Sequence, residues 1–150
     1  MNRRTARLHA FCVVFQFPFH YPLTIDAYNG ILDNYPWITA DNESDDYVYD
    51  KPTEEAYAFV SGTTAGVFNN LAAIDSIAEK FLRDWQMDRI ARMDLACLRL
   101  AIYEMLFTGG VVPVAAAINE SVELAKIFGT DDSAQFINGV LGSIAREQND

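Results

Sequence analysis

The sequence predicts an all-α bundle of six or seven helices. Three observations carry that prediction. Apolar residues recur at helical spacing and nowhere alternate as a half-buried strand requires. Proline, glycine and acidic residues punctuate the chain at short intervals, where helices start and stop. About half of the 150 residues are apolar (51%), enough for the core of one domain.

Taken in order, a first helix is expected from about Arg3 to Phe17, stopping before Pro18, with Ala6, Ala10, Val13 and Phe17 as its apolar stripe. A second is expected from roughly Leu23 to Tyr35, because Pro36 disfavours helix at the residue before it. The acidic segment 37–51 reads as a loop with a solubilising surface. Pro52-Thr53-Glu54-Glu55 has the look of a helix start, with acids favoured by the dipole. Helical pattern continues to about Asn69 and again to Trp85. Leu95 to Phe107 is apolar nearly all round, marking a buried central helix preceded by Asp94. Pro113 then suits a first turn and Gly129 a C′ position, with Val114, Ile118, Val122 and Ala125 as the buried stripe between them. Asp131, Asp132 and Ser133 offer an N-cap for a last helix carrying Phe136, Val140, Leu141 and Ile144.

Composition narrows the function classes. Cys12 and Cys97 are too few for a disulfide framework and read as small buried thiols in a reducing compartment. Residues 1–17 imitate a signal peptide, but His9 and Gln16 interrupt the apolar run and no A-x-A-like site follows. The apolar run from Leu95 carries Arg99 and Glu104 and falls short of a membrane span of about 20 residues. A cytoplasmic protein with no membrane contact is expected. The formal net charge of −10 argues against indiscriminate nucleic-acid binding. It is unevenly spread. Residues 1–20 carry Arg3, Arg4 and Arg7 and no acid, whereas residues 41–55 carry seven acids against Lys51.

Enzyme chemistry has no signature here. His9 and Cys12 stand three apart, but no Cys-x-x-Cys or His-x-x-x-His pair suggests a metal. Glu120, Glu123, Asp131 and Asp132 lack any Glu-x-x-His unit and read as solvated faces and a cap. The nucleophile-elbow, phosphate-loop and dinucleotide glycine motifs are missing. No catalytic residue, metal or cofactor is therefore assigned. The arginines at the amino terminus are more informative. Arg3 and Arg7 lie one helical turn apart, and Phe11 and Phe15 continue the line. Guanidiniums beside rings are what single-stranded RNA recognition uses, although a solvated helix end over core phenylalanines gives the same pattern.

Motifs in the second half bear on that choice. Trp85 and Arg89 stand four apart, followed by Asp94-Leu95-Ala96-Cys97-Leu98-Arg99-Leu100-Ala101-Ile102-Tyr103-Glu104. Then come Pro113-Val114, Ala117-Ile118-Asn119-Glu120-Ser121-Val122-Glu123-Leu124-Ala125-Lys126, Phe128-Gly129, Asp132-Ser133 and Phe136-Ile137-Asn138-Gly139-Val140-Leu141. This series, with Arg3-Arg4-Thr5-Ala6-Arg7, Ala10, Gly66 and Asp75, resembles the NusB transcription-antitermination family from Arg3 to Leu141, loosely between Pro18 and Lys51.

The resemblance implies two small helical subdomains within one RNA-binding domain spanning 1–150. It implies a non-enzymatic adaptor that binds the boxA element of nascent RNA together with NusE, a ribosomal small-subunit protein. That complex helps RNA polymerase through ribosomal RNA operons. Arg3, Arg4 and Arg7, with Asp132 and Phe136, match the family's RNA-contacting positions. Phe15, Asp88 and Asp94 fall where the family meets NusE. Some members pair as homodimers, and the apolar first helix leaves that state open. Phe15 stands where a tyrosine is known, and Ala115-Ala116 where a tyrosine-lysine pair is common. With three arginines on phosphates, the salt slope for single-stranded RNA would be about −2. Two other readings remain: a protein-binding helical module without RNA affinity, and an accessory subunit of an RNA-modifying enzyme.

Overall fold

The computed structural model describes residues 1–40, 43–44, 46–82 and 87–149. The chain divides into two units, Met1–Thr63 and Thr64–Asp150. Among the described residues, no helix is long and apolar enough to cross a membrane.

In the first unit, α1 (Arg3–Phe15) starts at Asn2, whose side-chain oxygen accepts the Thr5 N–H at 2.9 Å. That satisfies one of the donors a helix start leaves open. The expected stripe of Ala6, Ala10, Val13 and Phe17 is buried throughout. The helix itself ends earlier than expected, and Phe17–Phe19 forms a 3₁₀ turn around Pro18. The shorter α2 (Ile25–Asp33) starts from Thr24, whose hydroxyl accepts the Ala27 N–H at 3.2 Å. Its buried Tyr28 donates from its hydroxyl to the Ser61 carbonyl at 3.2 Å.

The acidic segment is not an irregular loop. It holds an antiparallel pair, β1 (Ile38–Ala40) and β2 (Tyr47–Tyr49), with Ile38 opposite Tyr49 and Ala40 opposite Tyr47. The Asp50 N–H donates to the Trp37 carbonyl at 2.8 Å and closes the base of the hairpin. Three-residue strands are too short to show an alternating pattern, which is why the sequence hid them. Asp41, Asn42 and Asp45 lie outside the described residues. Trp37 takes a left-handed backbone (φ 51°), a strained choice for a bulky residue. Its ring is buried 5.2 Å from His9, 5.0 Å from Tyr35 and 5.9 Å from Tyr57, so packing holds the strain in place. His9 is fully buried, its Nδ1 paired with the Tyr35 hydroxyl at 2.6 Å, and burial lowers its pKa below the ordinary 6.5. Thr53 caps α3 (Glu54–Asn69) by accepting the Ala56 N–H at 3.1 Å, with Glu54 and Glu55 in the first turn as expected.

The second unit holds the end of α3 and four further helices, α4 (Leu71–Phe81), α5 (Arg92–Leu106), α6 (Val114–Phe128) and α7 (Ser133–Asn149). A 3₁₀ turn, Met87–Arg89, precedes α5. Trp85 lies outside the described residues. As its composition predicts, α5 is central and packs on α4, α6 and α7. Two family-like residues prove to be structural. Asp75 receives a two-point bond from Arg99, both at 2.9 Å, which ties α4 to α5. At Gly66, any Cβ would collide with the Tyr103 ring.

The buried face of α6 differs from the expected stripe. Ala117, Ser121, Leu124 and Ala125 are buried, while Val114 is exposed and Ile118 and Val122 are half-buried. Because α6 packs on both α5 and α7, small residues take the contact face and let the helices approach. Ser121 adds a hydroxyl bond to the Cys97 carbonyl at 3.1 Å. Gly129 ends α6, but as the C-cap residue with an extended backbone (φ −95°) and not at the C′ position expected. Glycine is required there because a Cβ would sit 2.5 Å from Ser133 and 2.7 Å from the Ala125 carbonyl.

Candidate nucleic-acid interface

The predicted residues fall into two groups, one in each unit. In the first unit, the start of α1 presents Arg3 and Arg4 to solvent. Arg7 does not share that exposure, since only 8% of its surface is open. Both Arg3 and Arg7 lie over the Phe59 ring of α3, at 4.1 and 5.6 Å from its centre. A guanidinium over a ring face is attracted by the ring quadrupole and pre-oriented by it. Arg3 also lies 3.7 Å from Glu55, too far for a hydrogen bond, with both side chains well exposed (54% and 87%). Phe59 and Glu55 were not foreseen, because no local spacing links them to residue 3.

Phe11 cannot stack a base as the residue pattern allowed. It is almost fully buried and packs 6.3 Å from Phe15 in the core. Phe15 is half-buried, and its other neighbour is the exposed Phe19 at 5.5 Å. Part of the Phe15 ring is therefore accessible to solvent.

In the second unit, Asp94, Asp132 and Phe136 line one cavity of about 330 Å³, together with Arg89, Ile90 and Thr130. The α6–α7 connection sets this wall. The Thr130 N–H donates to the Ser133 hydroxyl at 3.0 Å, and the Phe136 N–H donates to the Asp132 carbonyl at 3.0 Å. Asp132 thus stands just before α7 with its side chain in solvent, and Phe136 follows one turn later, half-buried. Asp94, in the first turn of α5, keeps a buried Oδ1 with no hydrogen-bond partner among the described residues. Together with burial, the Asp94 charge pushes the Cys97 thiol up to about 12. Asp88, exposed on the 3₁₀ turn, does not line the cavity.

A half-buried ring (Phe136), an exposed carboxylate (Asp132) and a cation (Arg89) on one wall suit a flat heterocycle bearing N–H donors. A ring face of that kind can stack a base, and the exposed Asp132 carboxylate can accept from a base edge. Arg89, four residues after Trp85 in the sequence, also lines this wall.

No group of three or more histidine, cysteine or acidic side chains among the described residues is arranged to hold a metal ion.

A sequence model described as the NusB family matches residues 4–146. The transcription antitermination protein NusB of Acetivibrio thermocellus is 37% identical over 97% of this chain and 90% of its own length. A solved structure of T. maritima NusB superposes with a TM-score of 0.75 at 32% identity, covering 98% of this chain and 92% of that one. A crystal structure of the antitermination factors NusB and NusE in complex with dsRNA shares the fold (TM-score 0.74, 21% identity, 97% and 96% covered). Matched along nearly its whole length by the family's sequence model and by a relative well above 30% identity, the chain belongs to the NusB family of transcription antitermination proteins.

Proposed function

We propose that this protein is an antitermination adaptor that binds boxA-type single-stranded RNA together with NusE and so promotes elongation through ribosomal RNA operons. It acts by binding and not by chemistry. The observation that carries this reading is the second-unit cavity, where Asp94, Asp132 and Phe136 share one wall with Arg89. Arg3 and Arg4 supply phosphate attraction from the first unit. Arg7, mostly covered, helps hold the start of α1 against Phe59. Phe15, Asp88 and Asp94 serve NusE, whose basic character suits the two acids, so that at the cavity Asp94 marks the border between the NusE contact and the RNA-reading Asp132 and Phe136. A related NusB of the same fold, crystallised with NusE and a double-stranded RNA, supports NusE and RNA as joint ligand classes.

The test is fluorescence anisotropy of a labelled boxA-like RNA titrated with the protein, alone and with NusE. NusE is expected to tighten binding, and Arg3→Ala/Arg4→Ala to weaken it. A protein-binding module without RNA affinity is the second reading, favoured by the net charge of −10 and by Glu55 beside Arg3. It predicts NusE binding with no RNA binding in either condition.

A further inference from the structure

The hairpin of the first unit carries a surface separate from the residues proposed above to bind RNA. A groove of about 450 Å³ is lined by Trp37, Tyr49, Lys51, Pro52, Glu54 and Tyr57, among others. Trp37 is buried, which makes it the floor, and its ring lies 5.9 Å from that of Tyr57. Tyr49 is 67% exposed and Tyr47 76%. The register places both tyrosines on one face of the pair with Ile38, since residues two apart on a strand point the same way. Large rings left in water beside a groove mark an interaction surface more often than chance does.

Charge selects the occupant. Glu54 and Lys51 line the groove, and among the described residues of the same segment Glu43, Asp46, Asp50 and Glu55 add further negative charge. That field repels phosphates and therefore disfavours RNA. A second copy of this chain, also at −10, is disfavoured for the same reason. A cation is attracted, and the flat faces of tyrosine and tryptophan favour a planar guanidinium over an ammonium. We propose that this groove docks an arginine-bearing extended segment of a basic partner protein, with the guanidinium stacked between Tyr49 and Tyr57 over Trp37 and paired with Glu54.

The test titrates a short fluorescein-labelled Gly-Arg-Pro repeat peptide with the full chain and follows anisotropy. Its lysine counterpart and an oligouridine RNA serve as comparison probes. Saturable binding is expected, weaker for the lysine peptide and weakest for the RNA. Tyr49→Ala and Glu54→Gln should each weaken it by about fivefold or more, while Glu147→Gln, an acid of the other unit, leaves it unchanged. Tyr49 is exposed, so its removal should leave the fold intact, and Glu54→Gln reads the same groove without touching a ring. Absence of saturable binding would overturn the proposal. So would equal losses in all three variants, which would reduce it to bulk charge, or tighter binding to the RNA.

Discussion

The two units carry their candidate binding residues in opposite ways. In the first, cations stand at an exposed helix start, two of them laid over the Phe59 ring. In the second, carboxylates and one phenylalanine surround a cavity, with a buried Asp94 oxygen lacking a partner among the described residues. On the proposed function, the difference separates two tasks. Exposed guanidiniums attract any phosphate backbone and carry no sequence information, whereas a cavity with acceptors and a ring discriminates by shape and by donor position. On this account, affinity at low salt comes largely from the first unit and selectivity from the second.

The largest expected effect separates scaffold from site within the second unit. Gly66→Ala drives a methyl group into the Tyr103 ring and should cost about 2–3 kcal/mol of stability in urea unfolding. Next, Phe136→Ala should cost less stability than Gly66→Ala, about 1–2 kcal/mol for a half-buried ring, yet weaken RNA binding about tenfold or more, the usual worth of one stacked base. In the first unit, pH provides a probe of the core behind the hairpin. Burial lowers the His9 pKa, so the unfolded chain takes up a proton at higher pH than the folded one does. Stability is therefore full above about pH 6.5 and falls as pH drops towards the lower folded value, a decline that His9→Phe should flatten. The smallest effect tests the contact between Glu55 and Arg3. Glu55→Gln should tighten RNA binding by about two- to fivefold, within the range of an exposed ion pair, by removing a competitor for the guanidinium.

Legibility in the sequence also differed between the units. The long helices of the second announced themselves through Pro113, Gly129, the Asp132-Ser133 start and the unbroken apolar run of α5. Each of those signals is local. What stayed hidden was long-range. Nothing near Arg3 announces Phe59, and nothing in the spacing of α6 says that two neighbouring helices would select Ala117 and Ser121 over Val114 and Ile118. The hairpin was masked by its own shortness and by its acids. Among the site residues, Asp94, Asp132 and Phe136 were named individually from a family resemblance. Their meeting on one wall with Arg89 follows from the packing of α5 and α7, which no spacing encodes.

The most direct test of this division of labour is the salt dependence of boxA-like RNA binding for three proteins measured side by side. With Arg7 covered and Arg89 on the cavity wall, Arg3, Arg4 and Arg89 give a slope of about −2 for the parent chain. Arg3→Ala/Arg4→Ala should flatten it to about −0.7. Phe136→Ala should weaken binding at every salt concentration while keeping the parent slope. A parent slope near −6, an arginine variant that keeps the parent slope, or a Phe136→Ala variant that binds like the parent would contradict the account.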